Sequence, residues 1–348
     1  MYIKDIHLRN FKNYEDNYFN FSSQGNLIIG KNGIGKTNLL EALSFFTLGK
    51  SILNNHDSQL IKFGRESFFL KSEYAFTETK YKLKPSTFTV YYDKMKKKII
   101  HVNNKPLQKL SDIYQYVQVV YSSPDDIYHI FSLPNKRRYF TDSAISKIYP
   151  YYLNIIRRFK ETLNQRNSLL KRVFLPEEKE VWDISICREV EKVTEQRLKF
   201  FKMYNTYFQE AYKSISPLSE IVSITLKLND ISMKILKENE QKEIKYQTSL
   251  FGSHLDDFYI SLNGKNALFF ASQGQKRCIV IALKIALANI IKDIDKVNPI
   301  MIFDDTLAEL DENRSSSLLL HLTKEHQVFI ATPSIERYRK IDIPLMEL

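Results

Sequence analysis

A glycine-rich segment near the start of the chain sets the strongest constraint on the fold. It reads Gly30-Lys31-Asn32-Gly33-Ile34-Gly35-Lys36-Thr37 and fits the pattern GxxxxGK[ST]. The apolar run 27–29 precedes it, as a buried strand would, and apolar residues at helical spacing follow it. The order strand, loop, helix predicts an α/β fold built around a P-loop. The alternative, a glycine-rich surface turn, does not account for the flanking strand and helix.

The residue types in this loop suit the binding of a nucleotide. Glycines allow successive backbone N–H groups to point at phosphate oxygens, and the helix that follows adds its positive dipole end. Lys36 would reach the β- and γ-phosphates, and Thr37 would help to hold Mg²⁺. We therefore expect ATP and Mg²⁺ to bind here, with residues 30–37 as the binding loop.

An apolar strand that ends in two acids, residues 299–305, has the arrangement of a Walker B motif. Asp304 would hold Mg²⁺ through water, and Asp305 would be the catalytic residue that orients or deprotonates the attacking water. An apolar run followed by two aspartates is also typical of a strand running into a turn. Together with the P-loop, the pair predicts an ATPase site.

Residues 271–275 are similar to the signature loop of ABC-type ATPases. In that loop, Ser272, Gly274 and Gln275 would contact a nucleotide held by a second protomer. Read alone, Ser272 is also a good N-cap for the amphipathic helix predicted over 279–290. Residues 308–311 stand where ABC-type ATPases carry the D-loop. Thr332-Pro333 stands where many of them have a histidine, which predicts slow hydrolysis.

The charge balance favours a polyanionic partner. Lys and Arg number 51 against 40 Asp and Glu, a net charge of +11 with a pI near 9.2. A lysine-rich soluble surface would give the same balance. The candidate DNA-binding residues are Lys136, Arg137, Arg138, Arg157 and Arg158, although each also suits a solvated helix face.

Two other features narrow the class of protein. The cysteines, Cys187 and Cys278, lack the spacing of a zinc site or a disulfide framework. No apolar run reaches the length of a membrane span, and residues 1–11 lack the apolar stretch of a secretion signal. We therefore expect a cytoplasmic protein.

The pattern along the chain predicts two domains. Residues 67–105 are β-rich, with a turn near Asn103-Asn104, and residues 258–270 suggest a hairpin around Asn263-Gly264. Between them, two helical stretches meet near Pro176. They form either an antiparallel arm of roughly 50 Å or an ordinary compact bundle. We expect a head from residues 1–125 plus 250–348, and an inserted helical domain from residues 126–249.

Taken together, the motifs resemble the RecF family of bacterial recombination mediators along essentially the whole chain. The matching segments, in chain order, are 2–14, 30–42, 123–126, 136–142, 165–171, 272–277 and 304–311. Departures occur at 252–257, where Ser253 and Leu255 replace the family's usual residues. A Q-loop glutamine is also not evident, since Gln118 is offset and Val120 occupies the aligned position.

This resemblance implies an ABC-type ATPase head, with a P-loop sheet and a β-rich subdomain, and an inserted antiparallel helical arm. It implies an ATP-dependent homodimer with nucleotide between its heads, a weak DNA-stimulated ATPase used as a switch, and DNA bound across the closed dimer. It further implies roles in gap repair, replication restart and the SOS response, with RecO and RecR as partners.

Three other functions remain to be weighed. A head-and-arm ATPase of the SMC or Rad50 kind would need an insert of hundreds of residues. An enzyme that transfers phosphate to a small molecule would not need the loop at 271–275, and ATP-dependent dimerisation would separate the two. A DNA-binding module with a vestigial site would not bind ATP.

Overall fold

The computed structural model describes residues 2–53, 55–75, 86–109, 112–113, 116–216, 219–307, 312–338 and 341–348. The chain divides into two compact units. The first comprises Met1–Asp126, Ser214–Pro217 and Gln273–Leu348, and the second comprises Ile127–Lys213 and Leu218–Ser272.

The first unit is built on a parallel sheet of strands from both ends of the chain. Among the described residues, its strand order is β14-β3-β13-β12-β8, and every pairing is parallel. The strands are β3 Gly25–Ile29, β8 Val119–Ser122, β12 Ile300–Asp304, β13 Val328–Thr332 and β14 Leu345–Glu347. Strands β8, β12 and β13 are buried throughout, and β12 confirms the strand predicted from the apolar run before the two acids.

A second sheet of the first unit is antiparallel, with the order β2-β1-β4-β5-β6-β7 in the part of the chain that is described. Its strands are β1 Tyr2–Phe11, β2 Tyr14–Asn20, β4 Ser67–Ala75, β5 Ser86–Asp93, β6 Lys98–Val102 and β7 Lys105–Pro106. Asn103 and Asn104 have φ of 51° and 63° and form the turn between β6 and β7, as predicted.

Three long helices complete the described part of the first unit. They are α1 Lys36–Leu48, α9 Gln273–Asp295 and α10 Glu312–Glu325. The apolar positions that predicted the amphipathic helix over 279–290 are all buried in α9. The helix itself is therefore confirmed, but the amphipathic prediction was wrong, because residues 278–283, 285–288, 290 and 291 are all buried and leave no polar face.

The second unit contains helices around a small antiparallel sheet. Its helices are α2 Asp125–Ser132, α3 Pro134–Ile148, α4 Tyr152–Leu169, α5 Pro176–Ile215, α6 Met233–Glu238, α7 Glu240–Tyr246 and α8 Ala267–Phe270. Its strands are β9 Val222–Lys227, β10 Asp257–Leu262 and β11 Lys265–Asn266, in the order β11-β10-β9.

The boundary at residue 250 differs from the one expected. The structure groups residues 250–272 with the helical unit, because β10 pairs along its whole length with β9 of that unit. The tight turn at Asn263-Gly264 forms as predicted, with φ of 51° and 77°. The second strand of this hairpin was predicted too long. It stops at Asn266, whose side chain accepts a hydrogen bond from the Leu268 N–H and caps α8 instead.

Helix α4 runs antiparallel to the first half of α5. Arg166 near the end of α4 binds Asp183 near the start of α5, and Tyr151 at the start of α4 binds Gln196 farther along α5. With 18 residues, α4 is about 27 Å long, roughly half of the arm expected. In the described part of the chain, no helix combines the length and apolar character needed to cross a membrane.

Candidate nucleotide-binding site

The P-loop leaves β3 and enters α1 as the sequence predicted. Gly33 and Gly35 have φ of 82° and 123°, a region that side chains with a Cβ rarely adopt. The Lys36 ammonium lies across the loop and donates hydrogen bonds to the carbonyls of Gly30 (2.7 Å) and Lys31 (3.1 Å). The lysine is therefore held within the loop that is predicted to bind phosphates.

The turn between β1 and β2 supports this loop from outside. Asn13 Nδ2 donates to the Ile34 carbonyl at 2.8 Å, and the Tyr14 hydroxyl donates to the Gly35 carbonyl at 3.1 Å. A Cβ on Gly35 would come within 2.5 Å of Asn13 Nδ2, so the close approach requires glycine. In the sequence, Asn13 and Tyr14 stand out only as part of an opening motif, and nothing there predicts their role at the P-loop.

Thr37 and Asp304 meet although 267 positions separate them in the chain. The Thr37 hydroxyl donates to Asp304 Oδ1 at 3.2 Å. This contact arises because α1 begins beyond the end of β3, at the same edge of the parallel sheet where β12 ends in Asp304. A hydroxyl and a carboxylate are hard oxygen donors that suit Mg²⁺. The two residues predicted to hold the ion are thus side by side and fit it.

Tyr121 is a contact of this site that the sequence did not reveal. Its hydroxyl donates to Asp304 Oδ2 at 2.9 Å, because β8 lies next to β12 and Tyr121 is paired with Ile302. Burial raises the pKa of Tyr121 well above its ordinary value, so the hydroxyl stays protonated as a donor. Both oxygens of Asp304 are therefore held.

The environment of Asp304 opposes its charge. Burial raises the pKa of this carboxyl above its ordinary value, and the neighbouring Asp305 carboxylate acts in the same direction. Hydrogen bonds from Tyr121 and Thr37 act in the opposite direction without cancelling the effect of burial. A buried carboxylate of this kind gains from a cation beside it.

Asp305 lies just past the end of β12. Its φ is 55°, and its N–H donates to the Ala331 carbonyl at 3.1 Å. This left-handed conformation is uncommon for an aspartate and marks the point where the chain leaves the strand. Asp305 is only half-buried, whereas Asp304 is 6% exposed. The two acids therefore stand in different surroundings, as expected for two different roles.

The loop similar to an ABC signature is exposed. Ser272, Gln273 and Gly274 are all exposed, and Ser272 directly precedes α9. At Gly274, no atom of the described protein lies within 4 Å of the place a Cβ would take. No contact within the described chain therefore requires a glycine in this first turn, where glycine lowers helix stability.

The remaining predicted motif positions are the D-loop, the end of β13 and the region around β8. The D-loop, residues 308–311, lies outside the described residues. Thr332 is buried at the end of β13, and its hydroxyl donates to the Ser334 carbonyl at 3.2 Å. Gln118 lies just before β8, where its carbonyl accepts the Ile300 N–H at 2.9 Å, and Val120 is buried within β8.

The predicted DNA-binding residues lie in the second unit and differ in their contacts. Arg137 forms a two-pronged contact with Asp257, at 2.6 and 2.7 Å, and Arg138 donates to the Asp256 carbonyl at 3.2 Å. Arg157 and Arg158 are exposed on α4, and Lys136 is half-exposed on α3. Arg137 and Arg138 thus hold the fold together, while the other three have freer side chains.

The segment 252–257, which departs from the family pattern, is an internal junction of the second unit. Arg197 donates to the Ser253 carbonyl at 2.6 Å and to Asp256 Oδ2 at 2.7 Å. Leu255, one of the two departures from the family pattern, is 42% exposed. This departure therefore changes a surface side chain.

Comparisons with known proteins agree with this geometry. The RecF/RecN/SMC N terminal domain family matches residues 2–344. The chain is 30% identical to the DNA replication and repair protein RecF of Clostridium acetobutylicum, over 100% of the chain and 98% of that relative. It is 32% identical to the protein of the same name from Clostridium botulinum, over 97% of the chain and 95% of that relative.

Solved structures show the same likeness. The recombination mediator protein RecF in the RecFOR pathway, solved with ATP, is similar with a TM-score of 0.86 and 27% identity, covering 96% of this chain and 92% of that one. The Smc head domain of Pyrococcus furiosus is similar in fold, with a TM-score of 0.57 and 18% identity over 98% of this chain and 92% of that one. The fold is therefore that of an ABC-type ATPase head.

Proposed function

Because this chain belongs to the RecF/RecN/SMC N-terminal domain family, and within it to the RecF proteins, we propose that it is an ATP-controlled, DNA-binding recombination mediator. It would act in the cytoplasm in recombinational gap repair, replication restart and SOS induction, with RecO and RecR as partners. The observation that carries the proposal is the contact of Thr37 with Asp304, which joins both halves of an ATPase site at 3.2 Å.

The first unit would hold the nucleotide. Lys36 and the amides of residues 30–37 would neutralise the phosphates, as in other P-loop proteins. Thr37 and Asp304 would hold Mg²⁺, which when bound spreads the negative charge of the β- and γ-phosphates. Tyr121 keeps Asp304 turned toward Thr37 by holding its other oxygen.

A second protomer would complete the site. Ser272, Gly274 and Gln275 of that protomer would approach the γ-phosphate from the opposite side. The bare, exposed Gly274 supports this, since a missing Cβ allows a phosphate to approach the backbone closely. ATP would therefore favour the homodimer, because it bridges two surfaces that each hold half of its contacts.

Hydrolysis would be slow and would reset the dimer. Asp305 would orient or deprotonate the attacking water, and its half-buried position just beyond the strand supports this role. Thr332 occupies the end of β13, where many ABC-type ATPases have a histidine, so one group that assists hydrolysis is missing. A weak ATPase follows from this arrangement, and its stimulation by DNA is what the resemblance to RecF proteins implies.

DNA would be retained by the closed dimer, in which the positive charges of two chains act together on the DNA phosphates. The net charge of +11 per chain supports binding of phosphates. Of the five basic residues predicted from the sequence, Lys136, Arg157 and Arg158 have the side chains freest to reach DNA.

Light scattering with and without ATP, followed by addition of gapped DNA, tests the proposal. Asp305→Asn should bind ATP, stay dimeric for longer than the unmodified chain and retain DNA, because hydrolysis is slowed while binding is kept. An Asp305→Asn protein that binds ATP yet stays monomeric would contradict the dimer. Phosphate transfer to a small molecule without dimerisation would favour a metabolic enzyme, and undetectable ATP binding would favour a vestigial site.

A further inference from the structure

Two turns lie side by side at one end of the antiparallel sheet. Residues 62–66 lead into β4, and residues 93–97 connect β5 to β6. They are joined because Ser67 pairs with Asp93 and because the Lys94 N–H donates to the Glu66 carbonyl at 3.0 Å. We call these two turns the basic edge.

Each turn of the basic edge presents an apolar side chain to solvent. Phe63 is 100% exposed and Met95 is 88% exposed. Single exposed apolar residues are common on protein surfaces. Two such side chains on neighbouring, hydrogen-bonded turns are less common. Together they form an exposed apolar surface that packs against no part of the described chain.

The same turns carry an excess of positive charge. The turn 93–97 contains three lysines and one carboxylate. Lys94 pairs with Glu66 at 2.6 Å, whereas Lys96 and Lys97 are exposed and make no ion pair with any residue that the structure describes. The backbone beneath them is ordered, because Asp93 accepts the Lys97 N–H at 3.0 Å and the Lys96 N–H at 2.9 Å.

The basic edge is also connected to the nucleotide loop. Lys62 Nζ donates to the Asn13 carbonyl at 3.2 Å, and Asn13 Nδ2 holds the Ile34 carbonyl of the P-loop at 2.8 Å. A ligand bound to the basic edge would therefore lie on a surface that is linked to the P-loop by hydrogen bonds through Asn13.

We propose that the basic edge contacts DNA where a duplex meets a single strand, with Phe63 and Met95 packed on exposed bases and Lys96 and Lys97 on the neighbouring phosphates. Lysine charge complements the phosphate backbone, and exposed apolar side chains stack on or wedge between bases. The inference rests on the proposed DNA binding and deepens it, since a junction is the feature that exposes bases beside a duplex. An anionic membrane could use the same chemistry, but membership of a family of DNA repair proteins favours DNA.

Fluorescence anisotropy of the full chain with ATP and gapped DNA tests the role of the apolar pair. Phe63→Ala with Met95→Ala should weaken binding to gapped DNA about tenfold and binding to blunt duplex less than twofold. A 2-aminopurine placed at the junction should be quenched by the unmodified protein and not by this variant. The matched control is Ile221→Ala, which removes a 69% exposed apolar side chain beside Glu220.

The lysines are tested through salt dependence. Lys96→Gln with Lys97→Gln should lower the slope of log K against log salt by about two, since each phosphate contact contributes about one. Lys234→Gln, on an exposed lysine of α6, should leave the slope unchanged.

Each outcome decides between the readings. Variants that bind gapped DNA as tightly as the unmodified chain would overturn the inference alone. Failure of the unmodified chain to bind any DNA would overturn the proposed function as well. Loss of ATP-dependent dimerisation in the variants would assign the basic edge to the protomer interface. Binding to vesicles of phosphatidylserine and phosphatidylcholine in preference to gapped DNA would assign the basic edge to a membrane. Either this result or the loss of dimerisation would refute the inference.

Discussion

Asp304 shows how single residues shape this site. It is buried, its charge is opposed by burial, and both of its oxygens accept hydrogen bonds, one from Thr37 and one from Tyr121. These bonds fix the orientation of the carboxylate before any nucleotide arrives. A site whose ligands are already oriented loses less conformational entropy when it binds.

Replacing Tyr121 by phenylalanine should weaken ATP binding only when Mg²⁺ is present. The change removes a hydrogen bond to a charged group, which contributes about 1.5–3 kcal/mol, and leaves Asp304 Oδ2 without this donor. We expect the dissociation constant of a fluorescent ATP analogue to rise at least several-fold with Mg²⁺ and to stay unchanged in EDTA. Tyr92→Phe, in a buried tyrosine of the antiparallel sheet, is the control. An equal loss in EDTA would show that Tyr121 supports the fold and not the ion site.

Sequence reasoning found Thr37, Asp304 and the P-loop because each belongs to a short pattern with a known chemistry. Tyr121 belongs to none, since it reads as one more large residue in a buried strand. Its role depends on a contact 183 positions away, which only the strand order β12-β8 creates. Asn13 was missed for the same reason, because a polar residue in a hairpin turn gives no sign of the loop that it supports.

At the scale of elements, helix α9 begins in a way that lowers its own stability. Gly274 lies in its first turn, exposed and with no described atom within 4 Å of the place a Cβ would take. Gly274→Ala should therefore raise the stability of the isolated protomer, by up to about 1 kcal/mol. It should also weaken ATP-dependent dimerisation several-fold, because the new Cβ occupies the space where a γ-phosphate would approach. Thermal melting without nucleotide and light scattering with ATP measure the two effects.

The control for Gly274→Ala is Asn154→Ala in α4, which improves helix propensity at an exposed position of another helix. It should raise stability slightly and leave dimerisation unchanged. If Gly274→Ala dimerised as well as the unmodified chain, the proposal that a γ-phosphate approaches this glycine closely would be wrong.

The contact between α4 and α5 depends on a buried charge. Arg166 is fully buried and binds Asp183 of α5 at 2.8 Å, Glu243 of α7 at 2.5 Å and the Ser249 hydroxyl at 2.7 Å. Arg166→Ala should lower the free energy of unfolding by about 3–5 kcal/mol, because it leaves Glu243 buried without a cation and leaves Asp183 with Lys179 alone. Arg157→Ala removes an exposed pair with Glu161 at 3.9 Å and should change stability by less than about 1 kcal/mol. Urea unfolding of both variants gives the comparison, and equal losses would contradict it.

Elements were predicted well where periodicity and end signals agreed. Helix α9 and strand β12 have both. Residues 267–270 have an apolar run that suits a strand, but the side chain of Asn266 satisfies a backbone donor and starts a helix. Such a local hydrogen bond competes directly with strand pairing, and hydrophobicity alone does not reveal it.

At the scale of the whole molecule, the sequence indicated a split first domain but not its boundary. The predicted Walker B strand, residues 299–305, and the strand before the P-loop both belong to the parallel sheet, so the two ends of the chain had to meet. The boundary depends instead on which sheet β10 joins, and its partner β9 follows a 40-residue helix. Neither strand alone indicates which strand it will pair with.

If each nucleotide in the dimer is bound by both chains, two variants that each fail to dimerise alone should dimerise when they are mixed. Lys36→Ala damages the P-loop half of the site, and Ser272→Phe damages the half offered to the partner. Each variant alone should stay monomeric with ATP, since both of its sites are damaged. Mixed in equal amounts, they should form heterodimers, because Lys36 of one chain then meets Ser272 of the other in one intact site.

Light scattering of the mixture with ATP should therefore detect dimers. These dimers should dissociate at a higher protein concentration than dimers of the unmodified chain, because only one of their two sites is intact. The control mixture pairs Lys36→Ala with the double variant Lys36→Ala, Ser272→Phe, which contains no intact site and should remain monomeric. Rescue in the first mixture and not in the second would require that one nucleotide be bound by two chains at once. Dimers in either single variant, or none in the first mixture, would instead mean that ATP acts within one protomer.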